Sequence, residues 1–237
     1  MTRTWKRVLV KVSGEALMGP ESFGFHPETL ARVAADIAAV QSSGIELAVV
    51  VGGGNLVRGV KIAERGIDRV VGDHMGMLGT VMNGLALDGA LKAAGVESRV
   101  LSAVPLPTMC EDYARQKAVH HLESGRVVVL VGGTGNPFFT TDTTAVLRAA
   151  ETGCDVILKA TNVDGIYSAD PKKDPAARRF DTLSAEEALE KRLAVMDTAA
   201  FALARDNRLP IIVFSIHAPD AIASVLAGRV RSTLVTP

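Results

Sequence analysis

Disulfide and metal-ligand patterning are missing from this chain of 237 residues. Its two cysteines, Cys110 and Cys154, are too few for a disulfide framework and lack CxxC spacing. Both are expected to be reduced thiols of a cytosolic protein. The five histidines show no HExxH or other metal spacing, so no metal is expected on protein ligands alone. Charge of one sign is missing too, since Lys+Arg and Asp+Glu number 26 each. A nucleic-acid binder carries a basic excess, so no nucleic-acid partner is expected, although a local basic pocket stays possible. No apolar run approaches the roughly 18 residues of a membrane helix. The opening MTRTWKRVLVKVSGE holds no signal-peptide core. A cytoplasmic protein with no membrane partner is the expectation.

Three phosphate-site fingerprints are also absent. There is no GxxxxGK[ST], no complete GxGxxG, and neither HRD nor DFG. These gaps exclude the P-loop layout and the protein-kinase layout, and they disfavour a dinucleotide dehydrogenase.

What is present is an ordinary globular balance, 48% hydrophobic and 22% charged. Short β-branched runs at 8–12, 47–51, 98–101, 127–131, 156–159 and 211–214 are nearly continuous in apolar character. Such strands are buried on both faces, as in a parallel sheet covered by helices. Amphipathic segments lie between them. In 27–43, Leu30, Val33, Ala34, Ile37 and Val40 share one helical face, with Pro27 in the first turn and Gly44 as the stop. Ser184 and Glu187 have capping-box spacing. The alternation predicts an α/β fold. The polar stretch 168–181 reads either as a linker between two lobes, dividing the chain near residue 165, or as a mobile flap.

Three glycine-rich turns follow predicted strands: Lys11-Val-Ser-Gly14, Gly52-Gly-Gly-Asn55 and the stretch from Gly132 to Asp142. Ligands of open α/β sheets sit outside the carboxyl ends of the strands. Glycine lets backbone amides approach phosphate oxygens, and a following helix N-terminus adds positive potential. One such turn is commonly only a tight turn. Three on one edge suggest a crevice for several phosphates. Lys11 and Lys159 both end strands beside such turns. Each reads either as a strand-end lysine reaching solvent or as an ammonium group held on phosphate, the arrangement that phosphoryl transfer needs. Arg58 offers a bidentate contact. Asp142 and Asp197 each read as a helix cap, or as a carboxylate that orients lysine or magnesium. The Met- and Gly-rich segment 72–84 reads as a close-packed helix at a core or subunit interface, preceded by Asp73 as a ligand candidate.

Taken together, KVSGEAL at 11–17, VVGGGNLVRG at 50–59, VVGDHMGMLGTVMNGLA at 70–86, GTGNPFFTTD at 133–142, KATNVDGIYSADP at 159–171 and VMDTAAFALARDNRLPI at 195–211 resemble the bacterial uridylate (UMP) kinases of the amino acid kinase superfamily. The resemblance covers essentially the whole chain. It implies one open, mainly parallel sheet of about eight strands between helices, in a single domain over residues 1–237, which argues against a division at 165. The N-terminal part would mostly hold UMP and the C-terminal part mostly ATP. It further implies Mg²⁺-dependent transfer of the ATP γ-phosphoryl group to UMP in pyrimidine nucleotide biosynthesis. Lys11, Val12, Ser13, Gly14, Gly54 and Arg58 would meet the ATP phosphates. Thr161, Asn162, Tyr167 and Asp170 would line the adenine and ribose pocket. Gly53 would face UMP, Asp73 its ribose hydroxyls, and Thr134, Gly135, Asn136, Pro137, Phe138, Phe139, Thr140 and Thr141 the uracil and acceptor phosphate. Lys11, Lys159, Asp142 and Asp197 would carry catalysis. A homohexamer is implied, activated by GTP and inhibited by UTP. Gly19, Pro20, Glu21, Ser22, Phe23 and Gly24 match a loop associated with the effector, and 87–92 supplies Lys92 but also Asp88. Two other readings stand beside this one: a kinase of small carboxylates or carbamate, and a non-catalytic nucleotide- or oxyanion-binding storage or sensor protein on the same scaffold.

Overall fold

A computed structural model describes residues 5–57, 66–171, 173–193 and 195–237. Strands β1 (Arg7–Val12), β2 (Glu46–Val51), β3 (Ser98–Ser102), β5 (Val127–Val131), β6 (Val156–Thr161) and β10 (Ile211–Ser215) occupy the six apolar runs. Three short strands join them: β4 (Glu111–Asp112), β9 (Thr182–Ser184) and β11 (Ser232–Thr236). The sheet order is β4-β3-β5-β2-β1-β6-β10-β11-β9. Every neighbouring pair is parallel except β10 with β11. The sheet has nine strands among the described residues, in line with the about eight that the resemblance implies; β4 and β9 are too short to leave an apolar run, and β11 alternates buried and half-buried residues.

β1 lies between β2 and β6, so the chain before and after residue 165 builds one sheet. The reading of 168–181 as a linker between lobes is thereby corrected. That stretch leaves β7 (Ile166–Tyr167) and returns as β8 (Arg179–Phe180), an antiparallel ribbon pairing Ile166 with Phe180.

Strands buried on both faces need helices on both. Helices α1 (Pro27–Gln41), α2 (Arg69–Ala93) and α7 (Ala221–Leu226) supply one apolar layer, with Val33, Ile37, Leu87, Leu91 and Ile222 packed on Val8, Val10 and Val49. Helices α3 (Arg115–Glu123), α4 (Thr141–Thr152), α5 (Ala185–Glu190) and α6 (Thr198–Asp206) supply the other, with Leu122, Val146 and Phe201 on Leu9, Val128 and Ile157. α1 begins with Pro27 at its first positions and ends at Ser42, with Gly44 left-handed two residues on. Ser184 and Glu187 form the expected capping box of α5. Among the described residues, no helix is long and apolar enough to cross a membrane.

Candidate active site

Side chains of a strand alternate between its faces. Leu9 points into the α4 layer, while Val10 and Val12 point to the opposite one. Lys11 therefore continues the Leu9 face. By the same parity Lys159 continues from Ile157 on β6, and Lys11 and Lys159 are register partners on adjoining strands. Their side chains lie next to each other, with the residues only 8% and 6% exposed. Two ammonium groups buried side by side require a counter-charge.

Asp142, in the first turn of α4, supplies it. Its Oδ2 accepts a hydrogen bond from Lys159 Nζ at 2.5 Å, and its Oδ1 stands 2.9 Å from Lys11 Nζ. At that distance Lys11 and Asp142 form an ion pair. Burial pushes the Asp142 carboxyl up, but Lys11 and then Lys159 outweigh it and hold the group below its ordinary value. Burial, followed by the Lys11 charge, pushes Lys159 down to about 8, against the opposite pull of Asp142 and Asp197. Two cations sharing one anion leave a net positive centre beside the positive end of α4. The helix cap itself is Thr140, whose hydroxyl accepts from the Asp142 and Thr143 amides, so the reading of Asp142 as a cap is corrected.

Asp197 is the N-cap of α6, accepting from Ala200 N at 2.7 Å. It also accepts from Thr143 Oγ1 at 2.8 Å and from Thr140 Oγ1. One carboxylate thus ties the starts of α4 and α6 together, and its charge reaches Lys159 through space.

The glycine turns meet this centre. A methyl group on Gly14 would lie 2.8 Å from Gly52 O and 3.0 Å from Gly54 N. One on Gly52 would lie 3.5 Å from Thr141 Oγ1, and one on Gly53 would lie 2.7 Å from Gly76 O on α2. Only hydrogen fits where the Lys11–Gly14 turn, the Gly52–Gly54 turn and helix α2 come this close. Val12 O receives Gly52 N at 2.9 Å, and Ser13 is the extended residue that opens the 3₁₀ turn Gly14–Leu17.

The third turn is fastened to α2. Gly132, Gly133 and Gly135 have φ of 75°, 60° and 81°. Gly132 N donates to Thr80 Oγ1 at 2.8 Å. Phe138 holds φ of 71°, a strained value for a bulky residue, with its side chain exposed. Its amide donates to Asp73 Oδ2 at 2.9 Å, and Arg69 Nε donates to both oxygens of the same carboxylate. Asp73 lies inside α2, whose N-cap is Asp68, which corrects its expected place ahead of the helix. Thr134 Oγ1 accepts from Asn136 N, closing the tip that carries Gly135 and Pro137, and Phe139 is exposed after it.

Farther along the same rim a cavity of about 440 Å³ is lined by Tyr167, Asp170, Ile166, Lys191 and Val195 among others. Tyr167 donates to Asp164 Oδ1 at 2.6 Å. Thr161 and Asn162 are not among its lining residues; Thr161 Oγ1 accepts from Val163 N at 2.9 Å and closes the turn below it. The loop holding Gly19, Pro20, Glu21, Ser22, Phe23 and Gly24 is mostly exposed and tied to Asn55, with Gly24 N donating to Asn55 O at 3.2 Å. Arg58 lies outside the described residues.

Sequence reasoning did not single out Thr80, Asn55 or Asn83. For Thr80 and Asn83 the available signal was a polar side chain among the small and apolar residues of a helix, which implies a buried partner; for Asn55, in the turn after β2, there was none. Among the described residues, no group of three His, Cys, Asp or Glu is placed to hold a metal.

Buried lysines on neighbouring parallel strands, a helix N-terminus and three glycine turns on one rim are the parts of a phosphoryl-transfer crevice. The chain belongs to the amino acid kinase family, which it matches over residues 6–215. Within that family its relatives are uridylate kinases. That of Azorhizobium caulinodans is 60% identical over 233 residues, covering 98% of each chain. That of Sinorhizobium medicae is 57% identical, covering 98% of this chain and 97% of its own. A UMP kinase structure from Bacillus anthracis superposes with a TM-score of 0.94 at 40% identity, covering 99% of this chain and 97% of that one. One from Ureaplasma parvum gives 0.93 at 36% identity, covering 99% and 100%.

Proposed function

We propose that this chain is a UMP kinase, moving the γ-phosphoryl group of ATP to UMP with formation of UDP and ADP, a step of pyrimidine nucleotide biosynthesis. The observation that carries the reading is the Lys11–Asp142–Lys159 trio, two buried cations on one anion at the rim where the glycine turns meet. The transfer needs no covalent enzyme intermediate. An oxygen of the UMP phosphate attacks the γ-phosphorus while the bond to the ADP oxygen breaks. The chain's task is to hold two polyanions in line and to offset their repulsion.

Lys11 and Lys159 take the phosphate charge, and Asp142 aims both ammonium groups. Val12, Ser13, Gly14, Gly54 and Arg58 surround the ATP phosphates, with Tyr167 and Asp170 at the nucleoside end beside Thr161 and Asn162. Gly53, Asp73 and the stretch from Thr134 to Thr141 receive UMP. Asp197 holds Thr140 and Thr143, and so the start of α4, in place. Mg²⁺ would arrive with ATP, and Asp142 or Asp197 would be the carboxylate that holds one of its waters, since this ion keeps several waters and does not need a protein cage. It would neutralise charge on the transferring group. We further propose cytoplasmic location, a homohexamer, UTP inhibition by competition at the UMP site, and GTP activation through the Gly19–Gly24 loop and Lys92.

Coupled ADP release with UMP, CMP, dUMP and acetylglutamate as acceptors tests the activity. UMP is expected to dominate, because a site that hydrogen-bonds an acceptor group rejects analogues lacking it. Turnover only with acetylglutamate would point to a carboxylate kinase, and nucleotide binding without turnover to a sensor. In the same assay, a rate unchanged by GTP rejects activation.

A further inference from the structure

Two buried amides outside the lysine trio join the second glycine turn to α2. Asn55 follows the second turn and is 3% exposed; Asn83 lies mid-way along α2 and is fully buried. They face each other reciprocally. Asn83 Nδ2 donates to Asn55 Oδ1 at 2.6 Å, and Asn55 Nδ2 donates to Asn83 Oδ1 at 3.1 Å. The second hydrogen of each amide goes to backbone: Asn83 Nδ2 to Gly52 O at 2.7 Å, and Asn55 Nδ2 to Gly24 O at 2.6 Å. All four N–H donors of the pair are therefore used. The first turn presses on the same unit, because a methyl group on Gly14 would collide with Asn55 Oδ1.

We propose that the Asn55–Asn83 pair is a positioning clamp for phosphoryl transfer, setting the separation between the Lys11–Gly14 and Gly52–Gly54 turns and referring both to α2. Neither residue touches the reacting atoms; both act through the backbone that does. Two apolar side chains here would strip Gly52 O and Gly24 O of these donors, so the pair also contributes stability, and the thermal melt separates that share from the effect on rate. What the amides add is direction: each fixes one named carbonyl, Gly52 O or Gly24 O. Displacing a phosphate turn by about 1 Å is the kind of error that costs up to about 10² in rate.

The inference rests on the kinase reading, and the experiment keeps the two apart. Steady-state kinetics are measured for the unmodified chain, Asn83→Ala, Asn55→Ala, the double variant, and Ile37→Ala as a core control on α1, each with a thermal melt. The unmodified chain must turn over UMP; if it does not, both readings fall. Each asparagine variant is expected to lose about 10–10² in kcat with KM for either nucleotide changed less than about threefold, and the double variant to lose no more than the worse single one. Ile37→Ala is expected to melt earlier with kcat retained. Asparagine variants that keep kcat within about twofold, that lose activity only as Ile37→Ala does, or whose losses multiply in the double variant overturn the clamp. So does failure of both single variants to fold, which would assign the pair to stability alone.

Discussion

At the scale of single residues, the centre turns on how charge is balanced between β1, β6 and α4. Removing Lys11 takes one prealigned cation from the phosphates and leaves Asp142 paired with Lys159 alone. Lys11→Ala is expected to lower kcat by about 10²–10³-fold, the usual loss for one preorganised charge-stabilising group. Near-normal turnover would remove Lys11 from the reaction. Lys159 sets a pH dependence. With its value pushed down to about 8 in the free chain, it is a cation below that pH and neutral above it. Phosphate binding needs the cation, so kcat/KM should fall as pH rises through about 8, and Lys159→Arg, charged at every accessible pH, should move that limb upward. A kcat/KM that is flat from about pH 7 to about pH 10 would overturn either the lowered value of Lys159 or its place in phosphate binding, and the Lys159→Ala rate tells the two apart. Acid acts in the other direction. The folded value of Asp142 lies below its ordinary one, so the stability of its ion pairs is present between pH 3.8 and about 8, where Lys159 is still charged, and is lost as pH falls through the folded value of Asp142.

At the scale of elements, helix α2 organises the turns proposed above to receive UMP. It presents Thr80 to Gly132, Asp73 to Phe138 and Asn83 to Gly52, and its Gly76–Gly79 stretch lets the Gly53 turn sit on its backbone. The expectation that small residues in 72–84 serve close packing holds here, and Gly84 likewise fits under Val131 of β5. Gly53→Ala puts a methyl group 2.7 Å from Gly76 O and 2.9 Å from Thr80 N, backbone atoms that cannot swing aside. Overpacking of this kind costs about 1–3 kcal/mol. Urea unfolding should register that loss together with a fall in kcat; unchanged stability would mean that the turn has room to move.

At the scale of the molecule, one sheet brings the two lysines and the three glycine turns together, because the N-terminal strand lies between strands from both halves. The α2 surface leaves Val71, Leu78 and Met82 about half exposed along one side, whereas Met77 is buried. Exposed apolar side chains on a long helix suit contact between copies of the chain and support the homohexamer proposed above. Light scattering is expected to give a mass of about six chains, since closed symmetric assemblies are the common outcome for soluble homo-oligomers. A mass of one chain would reject it.

The linear order of residues determined the strands, because continuous β-branched runs have no stable alternative to burial on both faces, and the strand-end lysines and glycine turns were legible for the same local reason. It also determined the cap at Ser184, where the capping-box spacing is local, whereas Asp142 and Asp197 read alike and only the fold made Asp197 the cap. Short strands such as β4, β8 and β9 were not legible, since two or three residues acquire strand geometry only from a neighbour already in place. Tertiary structure alone decided that Asp142 bridges two lysines rather than capping its helix, that Asp73 holds Phe138 from within α2, and that Asn55 meets Asn83. Each of those facts depends on how far apart two elements settle once their apolar faces are packed, a distance that no local stretch of the chain contains.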